Sequence, residues 1–322
     1  MIFQTQLSKG VLACTALLLS GITPAHSVVP NDVRTPESRD RSSVFVGFVQ
    51  PGRLYWRPLS LQGLQTVEFR QLSFDDKTGA RTLLVKLPPG WKQPLGYHSS
   101  NLGMFVVTGS ISVEHRPIGR YSYAYYPAGY AHSYSTVKGA TVLEFWGGPP
   151  NYVQSTTSRL GAKKDEVIDG LRYNDISTTG LDSLPQFRSE PVSSHAPVQV
   201  KLLRLDKRTG QMVWVVTEPG GYPMMRGNGK LPLWSSSTTW KEGFLIAGRM
   251  TMAECLPQGQ VAGQYDPDGY FFRPAGIRHG GPSLYSDSYA IWLFRSGPGH
   301  RWVTYNTSCN EPSESTAGGG SQ

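Results

Sequence analysis

Tyr123-Ala-Tyr-Tyr-Pro-Ala-Gly-Tyr-Ala-His132 is answered 147 residues later by Tyr270-Phe-Phe-Arg-Pro-Ala-Gly-Ile-Arg-His279. Each phrase is a short aromatic strand followed by Pro-x-Gly-x-x-His. The flanks recur as well. Thr82-Leu-Leu-Val-Lys-Leu-Pro-Pro-Gly90 and Met104-Phe-Val-Val-Thr-Gly109-Ser-Ile-Ser-Val113 precede the first copy. Met212-Val-Trp-Val-Val-Thr-Glu-Pro-Gly220 and Phe244-Leu-Ile-Ala-Gly248-Arg-Met-Thr-Met252 precede the second. An apolar strand ending at glycine and proline follows each, at Ala140 to Pro149 and at Tyr289 to Pro298. Self-similarity of this length means two structural units with one strand order.

Working outward, 36 glycines and 24 prolines among 322 residues suit many short strands joined by tight turns. Aromatic residues reach 11% and charged residues only 17%, which excludes a disordered centre and a coiled coil. Residues 1–27 read as a secretory signal peptide, with Lys9, the apolar run Val11 to Ile22 and the small-x-small site Ala25-His26-Ser27. The run is too short to span a bilayer, and no membrane span is expected elsewhere. The expected location is therefore periplasmic or extracellular. Removing the leader removes Lys9, so the net charge of +8 becomes +7. The basic residues are scattered, and no nucleic-acid motif is present.

The expected organisation is a leader with first strands at 28–64, a first barrel at 65–150, a linker at 151–196, a second barrel at 197–300 and a tail at 301–322. Lys163 to Arg172 is the best helix candidate in a mostly irregular linker. Cys255 and Cys309 remain after leader removal, an even count that permits one disulfide in an oxidising compartment, or two separate thiols.

The repeated phrases, each behind a strand-Gly-strand hairpin, resemble the cupin superfamily, and the chain is similar to two-barrel bacterial cupins of unassigned function. The resemblance covers roughly residues 80 to 298. It implies an all-β fold of two tandem jelly-roll barrels. It also implies a metal site built from two histidines and a glutamate before the hairpin glycine and a third histidine in the second motif.

In the first repeat, counting back from Gly109 places these positions on Gly96, His98 and Leu102, with His132 as the last. Two of four ligands remain. His98 and His132 either hold a divalent ion together with waters, or form a metal-free pair contacting ligand as acid and base, with Tyr126 or Tyr134 as a further donor. In the second repeat the same count reaches Ser235, Ser237, Lys241 and His279. Glu242 is one residue out of step, so on an alternating strand it faces the other way unless a bulge intervenes. A ligand pocket in this barrel would draw on Arg226, Trp234, Glu242 and His279, which are equally readable as packing residues. His115, His195 and His300 lie outside the motifs and read as surface or loop residues.

Three functions are compatible with these residues. The first is an exported small-molecule enzyme of the lyase, isomerase or oxygenase type, with its site in the first barrel. The second is a non-catalytic binder of a small, anionic or sugar molecule. The third is a scaffold, and a homo-oligomer is compatible with all three.

Overall fold

The computed structural model describes residues 45–61, 63–180, 198–221, 234–305 and 309. It is almost entirely antiparallel β-structure in two curled sheets. The first sheet holds β2 (Arg57–Leu59), β3 (Val67–Phe74), β4 (Arg81–Leu87), β5 (Lys92–His98), β6 (Leu102–Val113), β7 (Arg116–Gly119), β8 (Tyr123–Tyr126), β9 (His132–Ser135), β10 (Ala140–Trp146), β11 (Tyr152–Gln154) and β12 (Ile168–Leu171). The second holds β1 (Val46–Val49), β13 (Thr179–Gly180), β14 (Gln199–Leu205), β15 (Met212–Pro219), β16 (Trp234–Ser237), β17 (Lys241–Leu256), β18 (Gly259–Tyr265), β19 (Tyr270–Arg273), β20 (His279–Ser296) and β21 (Trp302–Tyr305). These are two tandem jelly-roll barrels. Among the described residues, no helix is long and apolar enough to cross a membrane.

Both sheets pivot on the hairpin glycines. Gly109 and Gly248 have φ of +75° and +82°, and a Cβ there would strike the carbonyls of Gly139 and Tyr289. Only glycine meets both demands. A second local repeat lies in the turns Asp75-Asp-Lys-Thr-Gly79 and Asp206-Lys-Arg-Thr-Gly210. In each, the glycine N–H donates to the carbonyl of the first aspartate at 2.7 Å.

Strand alternation explains why the sequence alternates apolar and polar positions so poorly. Leu83, Val85, Met104, Val142 and Trp146 point into the first barrel. Trp214, Leu245, Phe271, Trp292 and Phe294 point into the second. The residues between them, including Leu84, Phe105, Tyr123, Phe145, Val213, Phe244 and Leu293, form one apolar seam between the barrels. These strands are buried on both faces, so both periods are apolar. Each large side chain so buried contributes on the order of 1.5–3 kcal/mol.

The leader and the linker serve both barrels. β1 precedes the first barrel in sequence but pairs with β19 of the second, Val46 opposite Phe272. The linker supplies β12 to β8 of the first barrel and β13 to β14 of the second. The helix expected at 163–172 is a single 3-10 turn, Lys164–Glu166, running into β12. Cys255 and Cys309 form a disulfide spanning 54 residues. By loop-closure entropy it contributes about 4 kcal/mol. Reducing it is expected to lower the urea midpoint of the oxidised chain, and an unchanged midpoint would refute that contribution.

Candidate functional site

The first barrel brings its two motif histidines together. His98 ends β5 and His132 begins β9, and the strands pair with Gly96 opposite His132. The two ring centroids lie 5.4 Å apart. Both rings are buried, at 2% and 1% exposure. Burial first, and for His98 the neighbouring His132 next, pulls their pKa values down to about 3 and about 4.

The two imidazoles differ in what their nitrogens touch. His98 Nδ1 is 3.2 Å from the Asn151 carbonyl, and its Nε2 is 2.9 Å from Gln93 Oε1, while Gln93 Nε2 has no partner. A neutral imidazole has one N–H, which must donate to the carbonyl. Nε2 then accepts from the Gln93 NH2, with the amide turned so that its nitrogen faces the ring. Both nitrogens of His98 are thereby engaged. His132 Nδ1 donates to the Tyr130 carbonyl at 3.0 Å, whereas its Nε2 has no partner. Tyr126 stacks on His132 with centroids 3.8 Å apart, and its buried hydroxyl is turned to the Asp169 carboxylate. Burial and the nearby Asp169 and Glu114 raise the Tyr126 pKa.

Tyr134 does not meet the histidine pair through its hydroxyl. That group donates to Glu144 at 3.4 Å, and Trp146 Nε1 donates to the other oxygen at 2.9 Å. Trp146 in turn sets its ring edge-on to His98, 4.7 Å between centroids. Glu144 is fully enclosed, and burial raises its pKa to about 7 despite these two donors. The sequence reading missed Glu144 and Gln93. The available signal for Glu144 was a lone carboxylate within the apolar strand Ala140-Thr-Val-Leu-Glu-Phe-Trp146.

These residues do not fit a firmly held metal ion. The first ligand position is Gly96, and a Cβ there would meet the ring of Tyr152 at 2.5 Å. Leu102 is core, and His98 has no lone pair to spare. Among the described residues, no three His, Cys, Asp or Glu side chains gather as ligands. One free imidazole nitrogen is what the first barrel retains.

The second barrel does not assemble the pocket expected of it. Arg226 lies outside the described residues. His279 faces inward, with Nε2 3.4 Å from Ser235 Oγ. Trp234 neighbours Ser235 on β16 and so projects from the opposite face, packed over Gly281. Glu242 points into the seam, as its odd position on the strand required, where it pairs with Arg295 at 2.6 Å. Lys241 instead turns inward, its ammonium 3.9 Å and 3.8 Å from the Phe294 and Trp302 ring centres. Arg273 grips Glu254 through Nε at 3.0 and 2.9 Å. His300, expected at the surface, is 2% exposed beside Trp214 and Trp302. His115 is exposed, and His195 lies outside the described residues.

Two jelly-roll barrels in tandem, each carrying Pro-x-Gly-x-x-His at the mouth of a strand, give the chain the fold of two-barrel cupins. The chain belongs to the family described as Domain of unknown function (DUF4437), which it matches over residues 55–300. No curated protein matches it. Among solved structures it is similar to a Nostoc punctiforme protein described as a "putative dioxygenase", at 18% identity and a TM-score of 0.60, covering 79% of this chain and 82% of that one. It is also similar to an oxalate decarboxylase variant from Bacillus subtilis, at 15% identity and a TM-score of 0.51, covering 84% and 81%. A Lactobacillus farciminis oxalate decarboxylase in a formate complex matches at 10% identity and a TM-score of 0.51, covering 82% and 89%. At these identities the likeness is one of fold.

Proposed function

We propose that this chain is a small-molecule enzyme acting through the first barrel by acid–base chemistry. The observation that carries the reading is a buried acceptor without a partner, His132 Nε2, under the stacked ring of Tyr126 at 3.8 Å. Leaving such an atom unmatched costs about 1–3 kcal/mol, so the site suits a ligand that offers a proton. His132 takes a proton from a carbon or hydroxyl beside a carbonyl. Tyr126 turns its hydroxyl from Asp169 to the oxygen on which charge develops. Burial keeps His132 neutral, and so able to accept, down to about pH 4. Glu144, its pKa raised by burial to about 7, holds Tyr134 and Trp146 in place beside the histidine pair. Isomerase and lyase chemistry needs only such proton movement. His98 acts as a positioning residue, its ring set by Asn151 and Gln93.

The test is proton abstraction in heavy water, with a panel of hydroxy acids, keto acids and sugars followed by proton NMR. The expected result is deuterium entering a carbon next to a carbonyl, lost by at least about a hundredfold in His132→Ala. A ligand-dependent rise in melting temperature without deuterium exchange would favour the binding-protein reading instead. The scaffold reading has its own support in the tightly filled interior, where Trp91 and Tyr134 pack at 4.9 Å. The enzyme reading also places the mature chain outside the cytoplasm, supported by the leader sequence and by the Cys255–Cys309 bond. Fractionation and amino-terminal sequencing beginning near Val28 would check it.

A further inference from the structure

Strand register places Gly103 and Glu242 at equivalent points of the two halves. Gly103 on β6 lies between Tyr125 of β8 and Phe145 of β10. Glu242 on β17 lies between Phe272 of β19 and Arg295 of β20. Both face the seam. In the second half a carboxylate fills the place. It is paired with Arg295 and accepts from the Thr82 hydroxyl at 2.8 Å and the Tyr270 hydroxyl at 2.5 Å. In the first half there is no side chain, and a small hollow of about 20 Å³ remains, lined by Gly103, Tyr123, Phe145, Arg204 and Arg295 among others. That is room for an oxygen atom or two. It adjoins a cleft of about 310 Å³, which shares Asn101, Tyr125, Arg204 and Gln211 with it and has Lys163 and Arg208, with Glu166 and Asp206, in its walls.

Arg204 is the second observation. Its side chain is only 8% exposed and lies over the Tyr125 ring at 3.8 Å. Its polar contacts are long: Gln211 Oε1 at 3.5 Å, Glu166 Oε2 at 3.6 Å and Asp206 Oδ2 at 3.8 Å. None is a good hydrogen bond. In each carboxylate the shorter contacts fall on the other oxygen, Glu166 Oε1 and Asp206 Oδ1. Glu166 accepts from Lys163 at 2.9 Å, and Asp206 accepts from the backbone N–H groups of Arg208 and Thr209 at 2.9 and 3.1 Å. A buried guanidinium with five donors thus has only long contacts of 3.5–3.8 Å, beside a hollow of the size of a carboxylate oxygen.

We propose that the seam cleft binds a small organic acid, whose carboxylate takes in the first half the place that the Glu242 side chain takes in the second. Arg204 supplies the paired N–H donors that suit a planar carboxylate, and Tyr123 supplies the hydroxyl that Tyr270 supplies to Glu242. The exposed Arg208 at the mouth draws anions in and suits a second acidic group, while Lys163 is paired with Glu166. The site is made by both barrels, lies outside the first barrel's interior, and stands or falls independently of catalysis there.

The test is calorimetric titration of the full mature chain with succinate, and separately with inorganic phosphate. Saturable succinate binding is expected in the millimolar range or tighter. Arg204→Gln is expected to weaken it by at least about tenfold. Gly103→Glu fills the hollow with the chain's own carboxylate, for which the Tyr123 hydroxyl, 3.0 Å from where the new Cβ would stand, must give slightly. It is expected to abolish binding and raise the melting temperature. Arg208→Gln, at an exposed site where folding is not at risk, is expected to weaken binding severalfold. Absence of saturable succinate binding, phosphate binding as tight as succinate, or succinate binding unchanged in a folded Gly103→Glu or Arg208→Gln protein would each overturn the proposal.

Discussion

Acidification is expected to unfold this protein cooperatively, with the loss of stability beginning below about pH 6.5 and steepening below about pH 4.5. Four buried histidines drive it. Burial, aided by neighbouring cations or imidazoles at all but His132, lowers His98 and His300 to about 3, His132 to about 4, and His279 well below its ordinary value. A folded chain that refuses protons the unfolded chain accepts below 6.5 is fully stabilised above that pH. It loses stability as the pH falls towards the folded values. Each histidine contributes a slope of about 1.4 kcal/mol per pH unit in that window. Glu144 works in the opposite sense. Its folded pKa of about 7 lies above the unfolded 4.5, so its contribution is complete below pH 4.5 and lost as the pH rises through 7. Glu254, likewise raised by burial against the pull of Arg273 and Lys241, adds to that opposition. Between pH 6.5 and 4.5 Glu144 therefore offsets part of the histidine effect, Glu254 acts in the same direction, and below 4.5 neither does. A slope of about 5 kcal/mol per pH unit then exhausts a stability of about 5–15 kcal/mol within a few units. Tryptophan fluorescence against pH is the measurement, and substituting His300 by Phe should move the midpoint to lower pH. Native fluorescence persisting at pH 3, or an unmoved midpoint in His300→Phe, would count against this account.

The second large effect belongs to Glu242. Replacing it by Ala is expected to cost about 3–5 kcal/mol, read as a fall in the urea midpoint. The reason is the seam. Glu242 is 1% exposed, and three groups from two barrels converge on it: Arg295, Tyr270 and Thr82. Its removal takes the carboxylate from a guanidinium that is itself 6% exposed, and strips two hydroxyls of their acceptor. A companion substitution separates loss of the ion pair from simple loss of packing. Glu242→Leu together with Arg295→Met removes both charges, and by the behaviour of other buried pairs should recover much of the loss. If the double variant is no more stable than Glu242→Ala, packing rather than charge is what Glu242 contributes.

Much of the architecture was legible because its determinants are local. Pro-x-Gly-x-x-His sets a turn and starts a strand within ten residues, and the hairpin glycines Gly109 and Gly248 are demanded by their own φ angles. The convergence of His98 and His132 followed from strand order. The placement of Trp234 and Glu242 in one pocket with His279 failed for a simple reason. Strand side chains alternate, so a shift of one residue sends a group to the other face. His300 was unreadable because no motif carries it. Its burial depends on Trp214 and Trp302, brought together from distant strands. Glu144 and Arg204 were hidden by the same long-range packing.

Short-range turn chemistry and the repeat in the chain were enough to specify two tandem barrels and to bring a pair of imidazoles into the first. Which imidazole nitrogen stays open, and which carboxylate faces the seam, was settled only by tertiary contacts. Nδ1 of His98 meets a carbonyl 53 residues away, and Glu242 meets Thr82 from a strand 160 residues earlier. No local pattern encodes such partners, because the chemistry of a buried polar group is decided by whatever the closed fold places beside it.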